Sequence, residues 1–394
     1  MRRALYGVAV AASLSGLVLG TSASATPYSF TLIAQTGNVS GTFGSFDHVP
    51  SLNNSGTAAF SASIHTIGTN GIWTGNGAAP TNIISNDSNT NIGGPAIINN
   101  SGQVAFFGDI GTSGGLWINT GGNAGTNSNL INSPAFGAIQ GQAAINDSGT
   151  SAAYVQPAGF TTEGIYTSNG IPSALISQPI ITGLHHSPDI NATGNVAYAN
   201  KDANGNVGIF VNNGTNVQVV DVLGNGLGLQ TGATADIQTP RMNDGDDVVF
   251  HGRLTGGDSG IFVEIGGTVA NVALTGAQFT GFDFTAAINN GDEVAFAANA
   301  LGQRGIYTGG DALADKVIQT GDTLFGLSVL DIDFGSFGLN DNGQIVFWAR
   351  LDDGSQAIVR ADPVGQSQAP EPATLALLGL GLAGLGFVRR TIKN

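Results

Sequence analysis

Two short strings carry the lettering of serine nucleophiles: "GTSGG" at 111–115 fits Gly-x-Ser-x-Gly, and "GDSGI" at 257–261 places Ser259 in a protease-like serine loop. A nucleophile elbow needs a strand-to-helix turn, and the serine needs a base within reach. Both strings come just before a strand of the form Gly-Ile-Phe or Gly-Leu-Trp, where the chain needs a Gly-rich turn in any case. Turn geometry therefore accounts for them, and no residue is assigned a catalytic role.

Metal chemistry has more to work with. Of the five histidines, only His185 and His186 are adjacent, in "HHSPD" with Asp189, and no His-Glu-x-x-His occurs. Calcium is the ion the sequence suits better, because hard cations take several oxygen ligands from one loop. Asp202, Asn204 and Asn206 alternate around Gly205, and Asp244, Asp246 and Asp247 crowd one turn. Neither string has the acid that closes an EF-hand loop, and Asx turns use the same letters. The carboxylate pairs Asp331 with Asp333 and Asp292 with Glu293 are of the type a glycosidase or lyase employs, although sequence does not give their separation.

The elements that would position these groups recur along the chain. Asn53, Asn99, Asn146, Asn191, Asn243, Asn289 and Asn340 each follow an apolar residue, at gaps of 46, 47, 45, 52, 46 and 51. A glycine stands three residues on in five copies (Gly56, Gly102, Gly149, Gly194, Gly343) and two residues on in the others (Gly245, Gly291), which predicts a hairpin one residue tighter in those two. An apolar strand follows each turn, with an aromatic residue seven past the Asn in six copies and Ala before it in five. Neighbours on a strand point to opposite faces, so this sheet is bulky on one face, small on the other, and apolar on both. Such sheets must be sandwiched.

Four antiparallel strands per unit and a period near 48 predict an all-β, seven-bladed β-propeller. The seventh unit has no fourth strand, whereas "FTLIAQTGN" from Phe30 reads like the fourth strand "DKVIQTGD" from Asp315. Residues 30–36 are therefore expected to complete the last blade and close the ring.

Both ends lie outside the repeat. Residues 1–25 have two arginines, a short apolar run and Ala23-Ser24-Ala25, the layout of a secretory signal peptide. After a linker at 363–369, Pro370-Glu371-Pro372 precedes sixteen apolar residues, 373–388, then Arg389, Arg390 and Lys393. The order of these features resembles the PEP-CTERM sorting tail of Gram-negative bacteria. That resemblance implies a transient inner-membrane anchor of one apolar helix, with an exosortase as processing partner. The repeat, as in Asn53-Gly56-Ala62 and Asn340-Gly343-Ala349, is similar to the NxxGxxxxxA tandem-repeat family with a choice of C-terminal anchor. That resemblance implies no established activity.

The two end segments hold five of the 12 basic residues and one of the 27 acidic ones, which leaves the body, 26–362, near −19. A surface so acidic repels phosphate backbones and disfavours nucleic acid. The chain has no cysteine, so its stability must come from packing. Taken together, the sequence points to an exported, non-catalytic surface or matrix protein, an adhesin or exopolysaccharide-associated scaffold with no obligatory cofactor. Two alternatives stay open: a polysaccharide hydrolase or lyase with carboxylates in the channel, and a calcium-dependent glycan-binding module.

Overall fold

The computed structural model describes residues 27–364 except 38–41, 66–68, 87–89, 111–112, 121–126, 133–135, 158–163, 170–171, 178–186, 202–206, 222–225, 227 and 229–237. The expected signal peptide and apolar tail lie outside these residues. Among the described residues there is no helix. Seven antiparallel sheets follow one another along the chain, each holding one asparagine turn, and they form the seven blades.

Blade 2 shows the plan. Thr90–Ile98 is innermost, followed outward by Val104–Ile110, Ser113–Asn119 and Asn127–Asn132. Six of the seven inner strands end at their asparagine turn, and in blade 7 residues 334–338 come between Leu327–Asp333 and the turn. All seven inner strands therefore deliver their turns to one face of the ring, called here the turn face.

The inner strands of blades 2, 3 and 6 share a second device, a two-residue excess over the strand they pair with. Gly93 faces Phe107 while Ile97 faces Ala105, and Phe282 faces Ala298 while Ala286 faces Phe296. Such bulges bend the strand and increase its twist where it borders the axis. In blade 1 the irregularity contains Pro50 and splits the strand into Phe43–Phe46 and Ser51–Leu52. Proline has no N–H to give the ladder.

The core consists of seven apolar layers, each between consecutive blades. Ala59, Ile72 and Ile83 of blade 1 meet Ile98, Phe106 and Trp117 of blade 2, and the same arrangement recurs around the ring. The aromatic residues seven past each Asn (Phe60, Phe106, Tyr198, Phe250, Phe296, Phe347) and the alanines before them are buried, as a sheet apolar on both faces requires.

Closure follows the sequence expectation, with slightly different bounds. Tyr28–Gln35 pairs antiparallel with Gln356–Pro363 as the outer strand of blade 7, with Thr31 opposite Arg360 and Ala34 opposite Ile358. Ile33 and Ala34 join Val346, Trp348 and Ile358 in the layer between blades 7 and 1. The first strand of the domain thus shares a core with the last. Blade 7 also carries a fifth strand, Thr323–Leu324, in a hairpin with Leu327–Asp333.

Candidate functional site: the channel mouth and its plug

The site begins with the asparagine turn. In each unit the buried Asn side-chain oxygen accepts backbone N–H bonds within its own turn; Asn340 Oδ1 takes those of Asn342 (3.0 Å) and Gln344 (3.0 Å). Its Nδ2 group points the other way, into the next blade. Asn53 Nδ2 donates to the carbonyl of Asn99 (3.3 Å), Asn99 to Asn146 (2.8 Å), Asn146 to Asn191 (3.1 Å) and Asn191 to Asn243 (3.4 Å). Asn243 then donates to Asn289 (3.5 Å), Asn289 to Asn340 (3.1 Å), and Asn340 back to Asn53 (2.9 Å). The seven bonds form a closed circle. Only a side chain with an acceptor and a donor on one short stem performs both tasks, which is why Asn occupies every position.

The next residue in each turn builds a second, exposed circle. The backbone N–H of Asn54 donates to Asn100 Oδ1 (2.7 Å), that of Asn100 to Asp147 Oδ1 (2.8 Å), and that of Ala192 to Asp244 Oδ1 (2.8 Å). Asp244 continues to Asn290 (2.8 Å), Asn290 to Asp341 (2.9 Å) and Asp341 to Asn54 (2.9 Å). Ala192 has no side-chain acceptor, so the circle opens between Asp147 and Ala192. The carboxylates also take amide donors: Asn54 Nδ2 to Asp341 (2.6 Å), and Asn290 Nδ2 to Asp244 (2.9 Å) and Asp341 (3.1 Å).

This ring rims a well of about 160 Å³ on the axis. Below the rim lies an apolar collar made by the residues preceding each Asn, Leu52, Ile98, Ile145, Ile190, Met242, Ile288 and Leu339. Beneath the collar the well is plugged. After Leu327–Asp333 the chain of blade 7 turns inward, and Phe337 crosses the axis to pack on the layers between blades 2 and 3 and blades 3 and 4. Arg241 of blade 5 lies on the Phe337 ring at 4.4 Å from its centroid. Its guanidinium donates to Gln142 Oε1 (2.8 Å) and to the carbonyls of Pro240 (3.0 Å) and Ser187 (3.3 Å), while Ser336 Oγ donates to the same Gln142 oxygen (3.2 Å). Asp189 is buried beside it, accepting the N–H groups of Met242 (2.8 Å) and Ile190 (2.9 Å). Burial pushes the Asp189 carboxyl above its ordinary value, against the opposing pull of Arg241 and these two bonds. Burial likewise lowers the pKa of Arg241, with Asp189 opposing.

The face opposite the turns carries another charged group. Arg304 of blade 6 pairs with Asp283 (2.7 Å) and reaches Asp333 (3.2 Å) and Asp331 (4.0 Å) of blade 7. Burial alone would weaken the Arg304 charge, but Asp283, Asp333 and Asp331 together raise its pKa. Burial raises the Asp333 pKa, more than Arg304, the Phe334 N–H and His48 lower it. His48 Nδ1 lies 3.4 Å from Asp333, and its ring stacks on Trp348 at 3.8 Å.

Several sequence expectations need correction. The turns with Gly245 and Gly291 are not tighter than the others. Asp246 (φ 68°) and Asp292 (φ 61°) adopt the left-handed conformation that Gly56, Gly102, Gly149, Gly194 and Gly343 adopt in the same place. Their N–H groups make the same bond to Asn243 (3.3 Å) and Asn289 (3.1 Å). Glycine enters that region without strain, and Asp is among the few other residues that tolerate it. Each Asp also gains a partner in the preceding blade: Asn191 Nδ2 donates to Asp246 (2.8 Å), and Asn243 Nδ2 to Asp292 (2.7 Å). Asp292 and Glu293 are therefore turn residues, Glu293 accepting from Asn289 Nδ2 (2.8 Å). Asp331 and Asp333 share Arg304 instead of standing as a free acid pair.

Ser259 opens the strand Ser259–Ile265 after a hairpin from Leu254, a strand-to-strand turn with no helix. Asp244, Asp246 and Asp247 do not converge on one point; Asp247 accepts from Asn243 Nδ2 (3.3 Å) and the Gly266 N–H (3.2 Å). Among the described residues no three His, Asp or Glu side chains gather as a metal-binding group. His185, His186, Asp202, Asn204, Asn206, Pro370, Glu371, Pro372, Arg389 and Arg390 lie outside the described residues. Sequence reasoning missed Arg241, Gln142 and Phe337. A signal for Arg241 was present: its counterparts two before the Asn include Ile97, Ala144 and Ala287, and an arginine there breaks the repeat.

Fold and site together define a closed seven-bladed propeller with a plugged, oxygen-rimmed channel. The chain belongs to a family of unknown function (DUF7453), whose model matches residues 28–303 and 258–369. Residues 368–390 match the PEP-CTERM protein-sorting motif, which marks an exported protein with a transient, membrane-anchored C-terminal sorting signal for exosortase processing. No curated protein matches the chain.

Among solved structures the chain is similar to a Mycobacterium tuberculosis puromycin-hydrolyzing peptidase (TM-score 0.46, 11% identity, 89% of this chain and 57% of the peptidase). It is similar to the Pyrococcus horikoshii acylaminoacyl peptidase (TM-score 0.46, 12% identity, 79% and 52%) and to AofleA from Arthrobotrys oligospora (TM-score 0.34, 9% identity, 86% and 91%). The chain spans little more than half the length of the two peptidases. None of these likenesses assigns an activity.

Proposed function

We propose that this chain is a non-catalytic, exopolysaccharide-associated scaffold or adhesin of the Gram-negative cell surface or matrix, and that its channel mouth is a glycan-binding platform. The observation that carries this reading is the employment of the carboxylates. Those at the mouth accept ring hydrogen bonds, and Asp331 and Asp333 share Arg304. A carboxylate held as a structural acceptor is a poor general acid or nucleophile. A rim of amide and carboxylate oxygens above an apolar collar does suit a polyhydroxylated ligand, whose hydroxyls bond to the rim while its apolar sugar faces rest on the collar.

The test is incubation of the exported protein with surface polysaccharide. Retention of the polymer with no new chain ends is expected. Release of reducing or unsaturated ends would establish the hydrolase or lyase alternative. A calcium-dependent rise in melting temperature together with glycan binding would favour the calcium-dependent module, because a ligand specific to the folded state stabilises it.

A further inference from the structure

The way the chain leaves the propeller fixes which face meets the membrane. Gln356–Pro363 runs antiparallel to Ile345–Leu351, with Ala361 opposite Ile345 and Gln356 opposite Arg350. Ile345 follows directly on the blade 7 turn, so the strand that leads to the sorting tail ends at the turn face. Three contacts hold it there. Gln344 Nε2 donates to Asp362 Oδ1 (2.5 Å), Arg360 donates to the carbonyl of Gly56 in the blade 1 turn (2.5 Å), and the Val364 N–H donates to the carbonyl of Pro27 (2.8 Å).

From Val364 only residues 365–372 precede the apolar segment. Eight residues span at most roughly 29 Å when fully extended. An apolar segment at 373–388 seated in a bilayer therefore keeps the turn face close to the headgroups.

We propose that the turn face, with the channel mouth, is the membrane-proximal surface of the anchored protein, and that the face bearing Arg304 and its carboxylate partners points away. Charge supports a tether and not adhesion. Asp147, Asp244, Asp246, Asp292, Glu293 and Asp341 all lie on the turn face, and an anionic leaflet repels them. Only the tail holds this face to the membrane, so severing the tail frees the mouth. The orientation does not depend on what the mouth binds.

The absence of cysteine makes the test clean. A donor fluorophore is placed on Ala192→Cys at the mouth or on Ala277→Cys in an exposed loop of the opposite face, both in the full chain. Each variant is reconstituted into liposomes with acceptor-labelled headgroups, and energy transfer is read from the floated, membrane-bound fraction. A seven-residue blade strand spans about 23 Å, so transfer from the Ala192→Cys label is expected to be at least about twofold stronger. Truncation after Val364 should abolish transfer from both. Equal transfer from the two labels, stronger transfer from Ala277→Cys, or none from either in the membrane-bound fraction overturns the orientation.

Discussion

On the turn face the same asparagine appears seven times, in the same bonds, at positions any one unit predicts. On the opposite face, Arg304, Asp283, Asp333, His48 and Trp348 each occur once, drawn from blades 6, 7 and 1. The first face is what repetition builds when every unit must hold the next. The second sits beside the seam where the ring closes, and it departs from the repeat. Arg241 and Phe337 are departures of the same kind inside the channel. Periodic residues in this fold carry structure, and individuality begins where the period breaks.

The severest break in this comparison is at the seam. Deleting residues 27–35 removes the outer strand of blade 7 and, with Ile33 and Ala34, its contribution to the last interblade layer. We expect loss of the cooperative monomer, seen as aggregation in size-exclusion chromatography and loss of a sharp calorimetric transition. A monomer that melts normally would show that blades 7 and 1 hold without the strand.

Next comes Arg241→Met. It removes the guanidinium's buried bonds to Gln142, Ser187 and Pro240, and losing charge-assisted bonds of this kind should cost about 3 kcal/mol. Urea denaturation should show the loss, whereas a cost below about 1 kcal/mol would mean that the plug is not a structural part of the ring.

The two circles at the mouth can be compared directly. Asn340→Ala removes a buried donor and the turn acceptor together and should cost about 2–3 kcal/mol, while Asn54→Ala, in the exposed circle, should cost less than about 1 kcal/mol. Equal costs would erase the distinction between them.

Arg304→Met should cost about 1–2 kcal/mol at neutral pH, discounted for partial exposure. The pH dependence has a definite sign. Asp333 has a folded pKa above its unfolded one, so the proton it binds favours the native state at low pH, and that contribution is lost as pH rises through the raised value. Without Arg304 the three carboxylates repel one another, and the deficit of the variant should shrink as pH falls into the carboxylate range. A deficit independent of pH would mean that Arg304 acts by packing alone.

The smallest effect is expected for Asp246→Gly. Relief of the left-handed backbone and loss of the bonds to Asn191 and Asn195 oppose each other, so the net change should stay under about 1 kcal/mol. A larger loss would show that the cross-blade carboxylate does more in these two turns than glycine's freedom does in the other five.

By itself the sequence determined the number of blades, the four-stranded plan they share, the residues packed between them and the strand that closes the ring, but not the fifth strand Thr323–Leu324 of blade 7. All of these are local patterns, set by the alternation of side chains along a strand and by turn chemistry, and copied seven times. It could not decide how the asparagines meet, because Asn340 and Asn53 are neighbours only once the ring is shut. Nor could it decide that Asp246 and Asp292 stand in for glycine, since only the folded turn shows which of its residues takes the left-handed backbone. The tertiary structure alone drew Phe337 across the axis to Arg241, and Asp283, Asp331 and Asp333 around Arg304. Such meetings depend on distances between blades, which no spacing along the chain encodes.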